Sequence, residues 1–185
     1  MRLLFWFLLL AASPALAEKA DKDKPTHIEA NRMQSDDARR ITIFEGSVVL
    51  TKGTQVVRAD RIVVRQDADG FQYSTATGKP VRFRQKGDPK DGKEGVWTDG
   101  EALRIEIDDR NERVELFERA RVTRDQDVVN GDYIFLDQRS EFFSVSAAKG
   151  APPTSPEGRV RAVIQPKTKP EADKPAAPAA TPGAR

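Results

Sequence analysis

Cysteine is absent from the 185 residues and histidine occurs once, as His27. The first absence excludes disulfides, thiolate catalysis and cysteine metal sites, so the core must hold without covalent staples. The second excludes paired-histidine metal motifs and weakens any nucleophile-base triad. An excess of either charge is lacking too: 31 Lys and Arg, one of them Arg2, stand against 29 Asp and Glu. Removing Arg2 with the leader leaves a balance of +1, with no basic stripe carrying aromatic residues, which excludes a nucleic-acid-binding profile. After residue 17 no apolar run is long enough to span a bilayer, and no stretch has the periodicity of a long amphipathic helix. Residues 108–121 come nearest, but Asp109-Arg110-Asn111 is turn chemistry, and Val114 and Leu116 fit a period of two.

The chain begins with a targeting pattern. Arg2 is a one-charge n-region, Leu3 to Ala12 form an apolar h-region, and Ala15-Leu16-Ala17 puts small residues at both specificity positions of a signal peptidase. An uncleaved anchor is the alternative, but the run falls short of the roughly 18 residues that suggest a membrane span, and Pro14 follows it closely. Residues 1–17 are therefore expected to be a signal peptide cleaved after Ala17, with residues 18–25 a disordered Lys/Asp-rich leader. Residues 26–165 hold the periodic segments. Residues 166–185 are a Pro/Ala-rich tail that cannot bury enough surface to offset its ordering entropy.

Between those limits the pattern is β. Ile41 to Val64 reads as a meander of three short runs separated by Glu45-Gly46 and Lys52-Gly53, in which apolar residues alternate with Thr, Arg or Asp. Such short connections join antiparallel neighbours. Thr26 to Ala30 reads as a first strand, Ser35 to Arg40 as a turn, and Phe71 to Thr77 and Val81 to Arg84 as strands on either side of a Gly78-Lys79-Pro80 turn. Ala102 to Asp108 reads as a strand, Arg113 to Phe117 and Ala120 to Thr123 as a hairpin around Glu118-Arg119, and Val128 to Asp137, Glu141 to Ala147 and Arg159 to Ile164 as the remaining strands. Landmarks recur: Phe44-Glu45 and Phe117-Glu118 are 73 apart, while Asp60 and Asp132, like Gly78 and Gly150, are 72 apart. The chain is thus expected to be all-β, roughly a dozen short strands in one domain built from two similar strand-turn units, with no long helix after the leader.

The ordered set Ile28-Glu29-Ala30, Phe44-Glu45-Gly46-Ser47-Val48-Val49, Thr51-Lys52-Gly53, Ala59-Asp60, Gly78-Lys79-Pro80 with Phe83, and Gly131-Asp132 resembles the LptA-type, OstA-like domain family of periplasmic lipopolysaccharide-transport bridge proteins. The resemblance covers about residues 26 to 165 and agrees with an exported chain. It implies an open, twisted, V-shaped antiparallel β-jelly roll, stacked end to end into a groove from inner to outer membrane. Acyl chains of lipid A would travel inside while the sugar stays in water. It implies no cofactor and no catalysis, with energy from an ATPase elsewhere. The implied partners are lipopolysaccharide, an inner-membrane anchored jelly-roll protein, an outer-membrane translocon and further copies of the chain.

Alternation assigns Ile28, Ile41, Ile43, Val48, Leu50, Val57, Ile62, Val64, Phe83, Ile105, Ile107, Val114, Leu116, Val122, Ile134 and Phe143 to the inner faces. These are either a closed core or, as the resemblance implies, the lining of the groove, with Thr26, Phe83 and Ile107 the positions it favours for lipid contact. A bulge inverts the facing of every residue beyond it. Arg58, Arg61, Arg65, Arg82 and Arg84 admit two readings, a phosphate-binding rim or solvated outward positions. Asp60 and Asp132 match a carboxylate pair for acid/base chemistry or a repeated strand-end role. His27 reads as an ordinary strand residue, and Trp97 as a core or end-cap residue. The first and last strands are the candidate edges for pairing with another chain. A soluble monomeric lipid or lipoprotein carrier is the alternative function, and a hydrolase of envelope polymer a third with no recognisable nucleophile-base pair.

Overall fold

Short polar turns set the strand ends. Asp36, Asp67, Asp108 and Asp137 each use a carboxylate oxygen to accept a backbone N–H two to four residues on, at 2.9–3.0 Å. This is the local bonding by which Asp competes with strand continuation. Gly53 closes the next turn at φ +58°, where only glycine avoids a steric penalty. The computed structural model describes residue 21 and residues 24–89, 93–140, 142–148 and 158–166. The signal peptide and nearly all of the tail expected from the sequence lie outside these residues. Of the expected leader, Asp21 is bonded: its carboxylate accepts the Thr54 N–H at 2.8 Å.

The described residues form ten strands and no helix. They are β1 (Thr26–Glu29), β2 (Arg32–Asp36), β3 (Ile41–Lys52), β4 (Gln55–Gln66), β5 (Gln72–Lys86), β6 (Trp97–Asp108), β7 (Arg113–Arg124), β8 (Asp127–Asp137), β9 (Phe142–Ser146) and β10 (Arg161–Val163). All belong to one antiparallel sheet in the order β1-β3-β4-β5-β6-β7-β8-β10, with β2 also on β3 and β9 also on β8.

Several expected turns are bulges instead. Glu45-Gly46 does not reverse the chain: β3 runs through it, with Gly46 at φ +83° and Ser47 at +47°. Likewise β7 is continuous through Glu118 (φ +65°) and Arg119 (φ +54°), so there is no hairpin there. β5 also crosses Gly78-Lys79-Pro80 unbroken, with a cis Lys79–Pro80 bond and a register shift between Thr77 and Val81. The shifts lie side by side across the sheet, from Glu45/Val48 on β3 to Phe117/Ala120 on β7. Aligned bulges bend and twist every strand at one level, so they form a seam along which the sheet folds over into two leaves.

The duplication is more regular than the literal matches suggest. The left-handed residues Arg40, Gly46, Ser47 and Gly53 recur 72 positions later as Glu112, Glu118, Arg119 and Asp125. Asp36 and Asp108 cap matching turns at the same offset. By facing, Phe44 therefore corresponds to Leu116, and the Phe44-Glu45 likeness to Phe117-Glu118 is one residue out of register. β2, not anticipated, carries a single apolar residue, Met33, and gives no alternation to read.

Candidate functional site

Among the described residues, the interior between the leaves is the extended apolar compartment. On the first leaf, Val48, Leu50, Val57, Val81, Phe83, Ala102 and Val122 point inward and are buried. On the second leaf, Ile62, Val64, Ala76, Ile105, Ile107, Val114, Leu116 and Ile134 do the same. Thr26 and Ile28 lie at the β1 edge opposite Lys52 and Leu50 and are half-buried. Phe143 faces inward beside Leu136 on the β9 edge but is 47% exposed.

Ile41 and Ile43 are not in this compartment. They pair with Arg65 and Val63, whereas Thr42 and Phe44 pair with the inward Val64 and Ile62. Reading Glu45-Gly46 as a turn is the cause: it cuts off Ile41 to Phe44 as a separate run whose isoleucines set the inner face, whereas β3 is continuous and the phase of Val48 and Leu50 carried back through it reaches Phe44 and Thr42. Phe44, Leu136 and Val145, which alternation did not assign, pack against the core instead. Ala59, Ala76, Ala102 and Ala120 are buried as well. Their recurrence beside each register shift was the available signal, since small side chains let the leaves close near the seam.

The compartment is shut. Val57, Ile62, Ile105, Leu116 and Ile134 have no exposed surface. The leaves touch where Gly100 of the first meets Leu116 of the second: a methyl built on Gly100 would lie 3.0 Å from Leu116 Cδ2. At the lips, far from the seam, polar groups bridge leaf to leaf. Lys52 Nζ at the end of β3 meets Asp109 Oδ2 in the β6–β7 turn at 2.6 Å. Gln138 Nε2 donates to Gln85 Oε1 at 2.6 Å, and Thr26 Oγ1 donates to Gln72 Oε1 at 3.4 Å. No buried side-chain N or O among the described residues lacks a hydrogen-bond partner.

The outer faces carry paired charges, beside the outward Ile41, Ile43 and Val63. Arg82 meets Glu101 at 3.1 Å, Arg84 meets Asp99 at 3.6 Å, and Arg61 meets Glu45 at 3.3 Å. Arg58 and Arg65 are exposed on the same outward face. Hydrogen bonding to Arg32 and its charge, helped by Arg61, hold the Glu45 carboxyl below its ordinary range. Arg110 does the same for Asp67. Tyr133 donates to Glu115 at 2.6 Å, and Tyr73 donates to Glu106. Burial first, and then the carboxylate partner, push the Tyr133 phenol up to about 12 and the Tyr73 phenol higher still.

Asp60 and Asp132 sit at matching places in the seam, one in each copy, within the bulged stretches of β4 and β8. That equivalence accounts for them as strand-bend residues. His27 is exposed on β1 opposite Thr51. Trp97 is 39% exposed, with the Arg84 guanidinium 4.5 Å from its ring centroid, so it is an outer-face residue and not a core one. No cluster of three or more metal-ligating side chains occurs among the described residues.

Fold and interior together define an antiparallel β-jelly roll whose apolar compartment runs the width of a folded sheet, from the β1/β2 edge to the β9/β10 edge. The chain belongs to the LptA/LptD N-terminal domain family: residues 27–142 match the family described as "LptA/(LptD N-terminal domain) LPS transport protein". It is similar to the lipopolysaccharide export system protein LptH of Pseudomonas aeruginosa, 31% identical over 162 residues, which are 86% of this chain and 90% of that protein. It is also similar to the lipopolysaccharide export system protein LptA of Escherichia coli K12, 30% identical over 142 residues and 74% of each chain. The crystal structure of LptH, described as the LptA-homologous periplasmic component of the lipopolysaccharide transport device of P. aeruginosa, matches the fold. Its TM-score is 0.70 at 28% identity, covering 79% of this chain and 99% of that one.

Proposed function

We propose that the chain is a non-enzymatic carrier and bridge for lipopolysaccharide in the periplasm, exported by cleavage after Ala17. In this reading lipid A acyl chains enter the compartment between the leaves, the sugar remains in water, and copies stack end to end towards the membrane partners of the same pathway. The observation that carries it is the unbroken apolar interior from one sheet edge to the other. Family membership and the names of the relatives support the substrate class. Each methylene taken from water into such an interior is worth about 0.8 kcal/mol, so a multi-acyl lipid has ample driving force without polar donors along the path. The closed lips mean that loading requires the leaves to part, with acyl chains replacing contacts that the leaves make with each other.

A competition experiment tests the reading. Intact lipid A should displace a bound fluorescent acyl probe, while a deacylated saccharide phosphate should not. If the deacylated compound competes equally, recognition lies on the charged outer face and the interior-carrier reading fails. The closed interior also suits a monomeric carrier of other lipids, and size that stays monomeric at every concentration would favour that alternative.

A further inference from the structure

We infer that the joint between the two internal copies, β5 against β6, is the template for the joint between successive chains, and that it fixes which residues meet. The inference rests on the end-to-end assembly proposed above and supplies its register. β1 and β2 stand to β3 as β6 stands to β7: Ile28 opposite Leu50 matches Gly100 opposite Val122, and Met33 opposite Phe44 matches Ile105 opposite Leu116. In the same way β9 and β10 stand to β8 as β5 stands to β4. Val145 opposite Ile134 matches Ala76 opposite Ile62, and Ala162 opposite Val129 matches Phe83 opposite Val57. Inside the chain the equivalents of these two edges are hydrogen-bonded to each other, Arg82 to Glu101, Phe83 to Gly100 and Ala76 to Ile105.

Carrying that relation across the free edges sets β9/β10 of one copy beside β1/β2 of the next, antiparallel, with Arg161 opposite Glu29, Ala162 opposite Ile28 and Val145 opposite Met33. The chemistry agrees at each point. Arg161 and Glu29 are both exposed and reproduce the Arg82–Glu101 pair, which is 3.1 Å apart within the chain. Phe83 against Gly100 is a large residue beside a small one, and Ala162 against Ile28 keeps the sum with the sizes exchanged. Met33 is 60% exposed at an edge with no strand beyond it among the described residues, so a second copy's Val145 would cover it and continue the core across the joint. The occupant is thus another copy of this chain, and the contact is heterologous, which propagates instead of closing.

The chain has no native cysteine, so engineered pairs report register directly. Full-length Glu29→Cys mixed with full-length Arg161→Cys should form a mixed disulfide under mild oxidation. Ile28→Cys with Arg161→Cys, displaced by one and on opposite faces, should not. Glu29→Arg and Arg161→Glu should each weaken self-association roughly fivefold, on the scale of cross-strand charge pairs, and the double reversal should restore it. If the chain associates but the disulfide forms only at displaced positions, or the double reversal gives no rescue, the register is wrong while the assembly stands. If sedimentation shows no association at any concentration, the assembly and this inference fall together. Crosslinking of either cysteine in cells to a different protein only would overturn the choice of a second copy.

Discussion

The lips of the interior offer the sharpest perturbation. Lys52 and Asp109 are 57 residues apart, bridge the two leaves at 2.6 Å, and have side chains 14% and 21% exposed. Exposed ion pairs contribute about 0–1 kcal/mol, while removing one partner from a fully buried pair costs about 3–5 kcal/mol. This pair lies between, so Lys52→Ala should destabilise the closed form by about 1–3 kcal/mol. Opening returns Asp109 to water, so the open form is spared that cost. A loss of this size changes the closed–open balance by about 5- to 150-fold. When the binding-competent state is minor, apparent affinity rises in proportion to its population. Lys52→Ala should therefore unfold at lower urea and yet bind a fluorescent lipid A analogue at least about fivefold more tightly. Replacing both partners by apolar residues, Lys52→Met with Asp109→Leu, should keep the lips closed and leave affinity near its starting value. A Lys52→Ala chain that is destabilised but binds lipid no better would refute entry between these lips.

Two further outcomes follow from the packing. Leu116 is fully buried where the leaves touch, so Leu116→Ala should cost about 2–5 kcal/mol in urea unfolding, and a loss under about 1 kcal/mol would mean the interior is not packed as described. The chain's two tyrosines both have raised phenol values, so their phenolate absorbance should stay low through pH 10.0 and rise only towards pH 12 or on unfolding. Because the folded value lies above the unfolded one, the associated stability is present below pH 10.0 and is lost as pH rises towards about 12. A folded protein titrating near pH 10.0 would contradict the Tyr133–Glu115 and Tyr73–Glu106 contacts.

Alternation and turn chemistry made the all-β class, the antiparallel pairing and the two-copy construction legible before any coordinates. They also identified most inward residues, because within one leaf the period of two is unbroken from Val57 to Ala59 or from Val114 to Leu116. What they missed was the seam. A Gly between apolar runs has the same local chemistry in a bulge as in a turn, and only the partner strand decides whether the chain reverses. Hence Glu45-Gly46 and Glu118-Arg119 read as corners, and Ile41 and Ile43 were assigned to the wrong face. The recurrence of aspartate caps at 36 and 108 was visible in the residues, and applying that one offset throughout would have exposed the matching bulges. The Lys52–Asp109 bridge had no local signal at all, since two exposed-looking charges in separate turns meet only when the leaves fold together.

The most direct test of a lipid-carrying interior is photo-crosslinking in cells, with a photoreactive amino acid at Phe83 or Ile107 inside and at Arg82 outside. Phe83 is 2% exposed between the leaves, and the Arg82 side chain is 65% exposed on the outer face beside it. The account predicts lipopolysaccharide adducts at Phe83 and Ile107 and none at Arg82. Adducts at Arg82 alone, or no adduct at either inner position in cells whose lipopolysaccharide export depends on the modified chain, would contradict it.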